Sequence, residues 1–247
     1  MSPSTPAPLT LLAIETSSNI GSVCVVTRGE TFVETSSADV KLSAWLIPAI
    51  DRVLLSAGVA LSDLNAVAFG AGPGAFTGVR TACATAQAIA YARGVPLIAV
   101  NSLQAMAALA VVDVTRPTNV TVLIDARMGE LYAAEYFCEN PGEVNCVSEP
   151  QLVSPSGYTP ANSHSVLVGS GVAIWRNGIV AANVDDTQQI MQLTRQLEAH
   201  WAEGVARVAM IELSASRTID PLNAVPIYVR NNVAQTEAER AALRVVA

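Results

Sequence analysis

The chain has 247 residues, 51% of them apolar and 14% charged, with 14 Lys plus Arg against 21 Asp plus Glu for a net charge of -7. This composition supplies a sizeable core and excludes an intrinsically disordered chain, while the length allows one large domain or two modest lobes. An acidic surface with Lys41 as its sole lysine repels a phosphate backbone unless its arginines cluster, so any nucleic acid is expected to be held by another subunit.

Residues 1–8, rich in proline and serine, lack the basic start and apolar centre of a signal peptide and read as a disordered tail. Apolar runs at Leu9–Ile14, Ser22–Thr27 and Thr31–Thr35 are separated by Asn19-Ile20-Gly21 and Arg28-Gly29-Glu30, the pattern of an antiparallel meander. Leu46, Ile47, Ile50, Val53 and Leu54 recur at helical spacing over Ser43–Ala57, with Gly58 as a stop and Pro48 as a kink or the true first turn. Ala66–Phe69 reads as a buried strand. It enters the run Gly70-Ala71-Gly72-Pro73-Gly74-Ala75-Phe76-Thr77-Gly78-Val79-Arg80, from which a helix continues to Arg93 and stops at Gly94 and Pro96. A strand at Leu97–Val100 and a helix over Leu103–Val111, capped by Asn101-Ser102, complete the first half.

Three antiparallel strands followed by helix, strand, helix, strand, helix require a mixed sheet, because the βαβ crossovers demand parallel neighbours. This is the ribonuclease-H-like order found in each half of actin-like proteins. Leu12–Thr16 leading into Gly21–Val26 is echoed by Leu123–Arg127 leading into Gly129–Ala134, and Ala68–Gly72 by Leu167–Gly171, which supports a duplicated fold. The fold class is therefore α/β with two actin-like lobes: residues 9–112 form the first, residues 113–225 a reduced second, and residues 226–247 a C-terminal segment that packs back on the first. In the second half Asn140–Gly157 reads as turn-rich, while Thr187–Glu203 and Thr236–Leu243 read as helical.

Glu15 and Asp125 each end a first strand and face a turn. That place suits acids that hold a metal-nucleotide or activate water, and it suits equally a carboxylate that caps a local turn, the reading favoured by the poor surroundings. With Gly70 and Gly72 they make up the weak candidates for a cofactor site. The glycine run lacks the lysine of a P-loop, and Ala75 stands where G-x-G-x-x-G needs its third glycine. His164 and His200, the only histidines, have no metal-ligand spacing, and no G-x-S-x-G elbow occurs. No catalytic residue, metal or cofactor is expected. Cys24, Cys83, Cys138 and Cys146 form no C-x-x-C pair and read as small buried hydrophobes of a cytoplasmic protein, and no stretch approaches the ~20 apolar residues of a membrane span. The helix after the glycine run alternates alanine with other residues from Thr81 to Ala92, so nearly every side of it is narrow; it is wedged inside the fold, gripped by another chain's helix, or both on different faces.

Four segments together resemble the TsaB family, also called YeaZ. These are Leu11–Ser17, Gly70–Arg80, Ile124-Asp125-Ala126-Arg127-Met128-Gly129-Glu130-Leu131-Tyr132 and Pro226-Ile227-Tyr228-Val229-Arg230-Asn231-Asn232, in the family's order from residue 9 to about 234. The resemblance implies an accessory subunit in forming threonylcarbamoyladenosine on tRNA beside the anticodon. A TsaD-type subunit with a metal-binding histidine motif carries out the transfer, a TsaE-type ATPase joins through the complex and uses its ATP, and the tRNA is met only indirectly. It implies homodimers through Ser43–Ala57 and Thr77–Arg93 on a face shared with TsaD, with Trp45, Ile50, Leu54, Gly78, Ala82, Ala86 and Ile89 as candidate contacts. An enzyme acting on ATP or a peptide is the alternative. The sequence departs from the family pattern at Glu15, where many members place Asp, at Ala71, Ala75 and Leu42, and in a longer segment at 208–224.

Overall fold

The structure, a computed structural model, describes residues 9–112, 115–141, 143–179 and 197–230. The tail at 1–8, the helix read over Thr236–Leu243 and most of that read over Thr187–Glu203 lie outside the described residues.

Strands β1 (Thr10–Glu15), β2 (Ser22–Thr27) and β3 (Glu30–Thr35) form the antiparallel meander, and β4 (Ala66–Gly70) and β5 (Leu97–Val100) add parallel to β1, giving the order β3-β2-β1-β4-β5. Arg28 and Gly29 turn β2 into β3 with φ of 53° and 78°, the primed geometry that matches strand twist. Strand β1 is buried on both faces, as a central strand between helical layers must be. Its alternate residues divide the core: Leu12 and Ile14 face helices α1 (Leu42–Ser56) and α2 (Phe76–Arg93), whereas Leu11 and Ala13 face α3 (Ser102–Ala110). Helix α1 continues through Pro48, which is exposed inside it rather than at its first turn. Helix α2 ends at Gly94 in the left-handed conformation, and Asn101 caps α3 by accepting hydrogen bonds from the amides of Leu103 and Gln104.

A second mixed sheet repeats the plan. Strands β6 (Thr118–Arg127), β7 (Glu130–Cys138) and β8 (Val144–Val153) are antiparallel, β9 (Val166–Val168) is parallel to β6, and the order is β8-β7-β6-β9, followed by helix α4 (Val172–Ile179). Strand β8 corrects the turn-rich reading of Asn140–Gly157. It is an edge strand, and Pro150, which has no amide to donate, lies where the ladder to β7 shifts register. Cys146 on this strand is exposed, unlike the three buried cysteines, so the expectation of four buried thiols fails there.

The longer segment at 208–224 begins with the end of helix α5 (Trp201–Ser214). This helix lies against β1, β2, β4 and β5 on the α3 face of the first sheet. The core is consequently continuous: Leu11, Ala68, Met106, Val122, Tyr136, Trp201 and Val205 belong to one buried cluster that runs from the first sheet through α3 and α5 to the second. Trp201 is fully buried and its indole N–H donates to the Ser102 carbonyl at 2.7 Å, while the Ala202 amide donates to Ser22 Oγ at 2.9 Å. No helix among the described residues is long and apolar enough to cross a membrane.

The α3–α5 crossing is close because of Gly204, where an added Cβ would enter the Ala105 carbonyl and press on Leu109. Gly204→Ala gains about 1 kcal/mol of helix propensity and loses about 1–3 kcal/mol to overpacking, so a net drop in melting temperature is expected. Gly58→Ala meets no neighbour within 4 Å and carries only the cost of its left-handed φ of 64°. Thermal melts of the two variants separate the packing effect from the backbone effect.

Candidate functional site

At the end of β1 the Glu15 carboxylate is completely buried. Its Oε1 accepts the Ser17 amide at 2.6 Å and its Oε2 accepts the Ser102 hydroxyl at 2.7 Å. The Ser102 hydroxyl accepts in turn from the Gly72 amide at 3.1 Å, and the Gly72 carbonyl accepts the Ser102 amide at 2.9 Å. Burial raises the Glu15 pKa, and the hydrogen bonds it accepts offset only part of that rise. The carboxylate oxygens occupy the space a Cβ on residue 70 would take, which is why Gly70 is glycine. Glu15 and Gly70, proposed from sequence as cofactor contacts, thus face each other inside the protein.

The rest of the glycine run is equally enclosed. Gly78 lies against the Thr16 carbonyl with no room for a side chain, and its own carbonyl accepts from Thr16 Oγ1 at 2.7 Å. A Cβ on Gly74 would stand 2.5 Å from that of Ser17, and one on Gly72 would stand 3.1 Å from the Ile227 carbonyl. Ile227 belongs to a strap over residues 217–230, of which the sequence singled out only the end, as the start of a C-terminal segment packing back on the first lobe. Its Ile219 bridges Leu97, the Pro221 carbonyl accepts from Gln87 Nε2 at 2.7 Å, and the Ile227 amide donates to the Ala71 carbonyl at 2.7 Å. Tyr228 then accepts from Arg80 Nε at 2.8 Å, and the Arg80 guanidinium lies 3.7 Å over the Phe76 ring. Finally Arg230 reaches the second sheet, where Nη2 meets Glu130 at 2.7 Å and the Ala126 carbonyl at 3.1 Å.

Asp125 sits apart from Glu15, in a cleft of about 410 Å³ between the β1–β2 turn, the start of α2 and the β6–β7 hairpin. Its Oδ1 accepts the Arg127 amide at 2.7 Å, and its Oδ2 pairs with Arg127 Nη1 at 3.2 Å. The hairpin holds Arg127 and Met128 at φ of 65° and 57°, with Gly129 at 75°. Arg127 and Met128 line the cleft with Phe76, Ile124 and Tyr132. Of the four weak cofactor candidates, the structure brings Glu15, Gly70 and Gly72 into one buried network and leaves Asp125 alone in the cleft, paired to an arginine.

The residues expected to touch partners face inward. Trp45, Ile50, Leu54, Gly78, Ala82 and Ala86 are buried against the first sheet, and Ile89 is half-buried. The outer surfaces of the same helices carry Ala44, Ile47, Pro48, Asp51 and Leu55 on α1 and Thr77, Ala84, Ala88 and Tyr91 on α2, all exposed.

Two mixed sheets of five and four strands with flanking helices define an α/β protein of the actin-like class. Its sequence matches the family model for TsaD, tRNA N6-adenosine threonylcarbamoyltransferase, over residues 36–238. It is 32% identical over 235 residues to the tRNA threonylcarbamoyladenosine biosynthesis protein TsaB of Haemophilus influenzae, covering 91% of this chain and 95% of the relative. To the Escherichia coli protein of that name it is 31% identical over 234 residues, covering 91% and 96%. The solved structure of YeaZ from Pseudomonas aeruginosa superposes with a TM-score of 0.74 at 26% identity, covering 89% of this chain and 99% of that one. The chain belongs to the TsaB family of tRNA threonylcarbamoyladenosine biosynthesis proteins.

The Glu15 network yields a pH test. The native carboxyl holds its proton above the ordinary value of 4.5. Below that value both folded and unfolded chains are protonated and burial is least costly; as pH rises toward the folded pKa the unfolded chain ionises first and stability falls. Glu15→Gln preserves the shape and removes the titration. Its melting temperature should exceed that of the parent at pH 8, and the gap should close toward pH 4.5.

Proposed function

We propose that this chain is a non-catalytic subunit that supports a TsaD-type transferase in forming threonylcarbamoyladenosine on tRNA beside the anticodon. The observation that carries the reading is the outer face of α1 and α2. Ile47, Leu55 and Tyr91 are 55%, 81% and 64% exposed, and Ala84 and Ala88 are exposed on the narrow helix α2. Exposed apolar side chains on two helices that cover the same face of a sheet support a docking surface, and small residues let a partner helix approach closely. This face takes the TsaD-type subunit, and in its absence a second copy of the chain. A TsaE-type ATPase reaches the assembly through the complex, and tRNA meets this chain only through its partners, in the cytoplasm.

Two features of the acidic residues support a role without chemistry of its own. Glu15 spends its hydrogen-bonding capacity on Ser17 and Ser102 away from solvent, and Asp125 is tied to Arg127.

Leu55→Asp and Ala88→Arg place charge on the exposed face without touching the core, so both should fold normally. Each should weaken pairing with purified TsaD-type subunit by about 30-fold or more, as expected for a central contact worth about 2 kcal/mol, and should depress threonylcarbamoylation in a reconstituted assay. Ala82→Arg or Ala86→Arg would instead unfold the helix layer, because both alanines are fully buried. Undiminished modification by non-pairing variants would overturn the proposal. So would ATP turnover or peptide cleavage by the isolated chain that disappears in Asp125→Asn.

A further inference from the structure

Helix α2 carries a cation on its outer face, and the fold holds that cation in place without neutralising it. Thr77, Arg80, Ala84, Ala88 and Tyr91 follow one another at helical spacing along α2 and are all exposed, so Arg80 stands in the same stripe as the two alanines. Its guanidinium lies 3.7 Å over the Phe76 ring, and its Nε donates to the Tyr228 hydroxyl at 2.8 Å. One residue of its own helix and one of the strap therefore fix it together. Arg52, Arg127, Arg207, Arg217 and Arg230 each pair with a carboxylate, whereas Arg80 meets none among the described residues. Both Nη groups remain to donate outward, and the Tyr228 hydroxyl, whose oxygen already accepts from Nε, keeps its own proton to donate beside them. An arginine held rigid before binding and bordered by aromatic surface gives up little freedom on association, which is where this residue contributes most at an interface.

We infer that Arg80 is the charged anchor of the docking face and takes a Glu or Asp side chain of the TsaD-type subunit, an inference that rests on the pairing proposed above. The planar guanidinium presents parallel N–H donors that match a carboxylate or a phosphate oxygen pair. Arg80 is the only basic residue of the stripe, whereas a nucleic-acid backbone is gripped by several cations in succession, and a chain with a net charge of -7 repels it; the carboxylate is therefore the better match. Across a two-fold axis that brings α2 onto α2, Arg80 would face a stripe with no acid in it, so the carboxylate comes from a different protein. Phe76, Ile227 and Tyr228 are exposed at the same end of the helix, and a protein surface docked over them would exclude water from the ion pair and strengthen it.

The test measures pairing of the full chain with purified TsaD-type subunit by titration calorimetry over a range of salt concentrations. Arg80→Ala should weaken pairing about tenfold at low salt, as expected for the loss of hydrogen bonds to a charged acceptor, and should flatten the salt dependence. Arg80→Lys should recover little of this, because an ammonium lacks the planar fork and the stacking face. Tyr228→Phe frees the strap from Arg80 but keeps the cation, so it should weaken pairing less and leave the salt dependence in place. Arg80→Glu should invert that dependence, with pairing weakest at low salt, where two carboxylates face each other; a merely structural role for Arg80 would not produce this inversion. If Ala88→Arg abolishes pairing while Arg80→Ala leaves affinity and salt dependence unchanged, the anchor is overturned and the docking face stands; if the parent chain does not pair at all, both fall. Loss in Arg80→Ala of self-association alone, read by sedimentation, or of direct tRNA binding alone, read by gel shift, would also overturn the inference and assign Arg80 to a second copy or to a phosphate.

Discussion

The fold depends on a single buried carboxylate. Glu15 ends the central strand of the first sheet and is completely enclosed, so its oxygens must be met by hydrogen-bond donors from the protein. Those donors come from three places: the turn after β1, the N-terminus of α3 through Ser102, and through Ser102 the Gly72 turn that launches α2. The Ser102 carbonyl continues the chain of contacts to the indole of Trp201 and hence to α5. Removing any member leaves a polar group unpaired in the core, so these elements are held in register together.

That constraint explains the glycines. Helix α2 must begin close to the end of β1, and the Glu15 oxygens and the Thr16 carbonyl occupy the positions where side chains at 70 and 78 would stand. The turn that resembles a phosphate cradle in sequence is filled by the protein's own backbone, with the Ile227 carbonyl over Gly72. The strap then ties this turn to the β6–β7 hairpin through Arg230, so the start of α2 and the second sheet are held by one segment.

Most of the first half was legible in the sequence because its signals are local. Apolar runs bounded by Arg28-Gly29, Gly58 and Gly94 mark strands and helices whose ends depend on left-handed residues at those positions. The duplication was legible too, since Leu123–Arg127 and Leu167–Gly171 repeat the first lobe's strand ends and the second sheet repeats its strand order. Strand β8 was not, because an edge strand with Pro150 at a register shift has neither alternation nor a continuous apolar run. Helix α5 and the strap owe their positions to partners roughly a hundred residues away, Ser102 and Leu97, which no window of sequence contains.

The contact residues show the limit of periodicity most plainly. Trp45, Ile50 and Leu54 stand out in sequence because they repeat at helical spacing, but a stripe of that kind is what the core itself demands, and the structure places all three inside. A docking face on a helix that also covers a sheet is visible only as apolar residues left over once the inward stripe is assigned. On α1 the remainder is Ile47 and Leu55; on α2 it is alanine with Tyr91, which has no amphipathic signature at all. Narrowness serves both faces at once. Ala82, Ala86 and Ala90 let α2 settle onto β4 near the crowded end of β1, and Ala84 and Ala88 leave its outer side equally flat. The two readings of the alanine-rich helix thus apply to different faces: one side meets the sheet's need for close packing, and the exposed side is narrow enough for close approach of another helix.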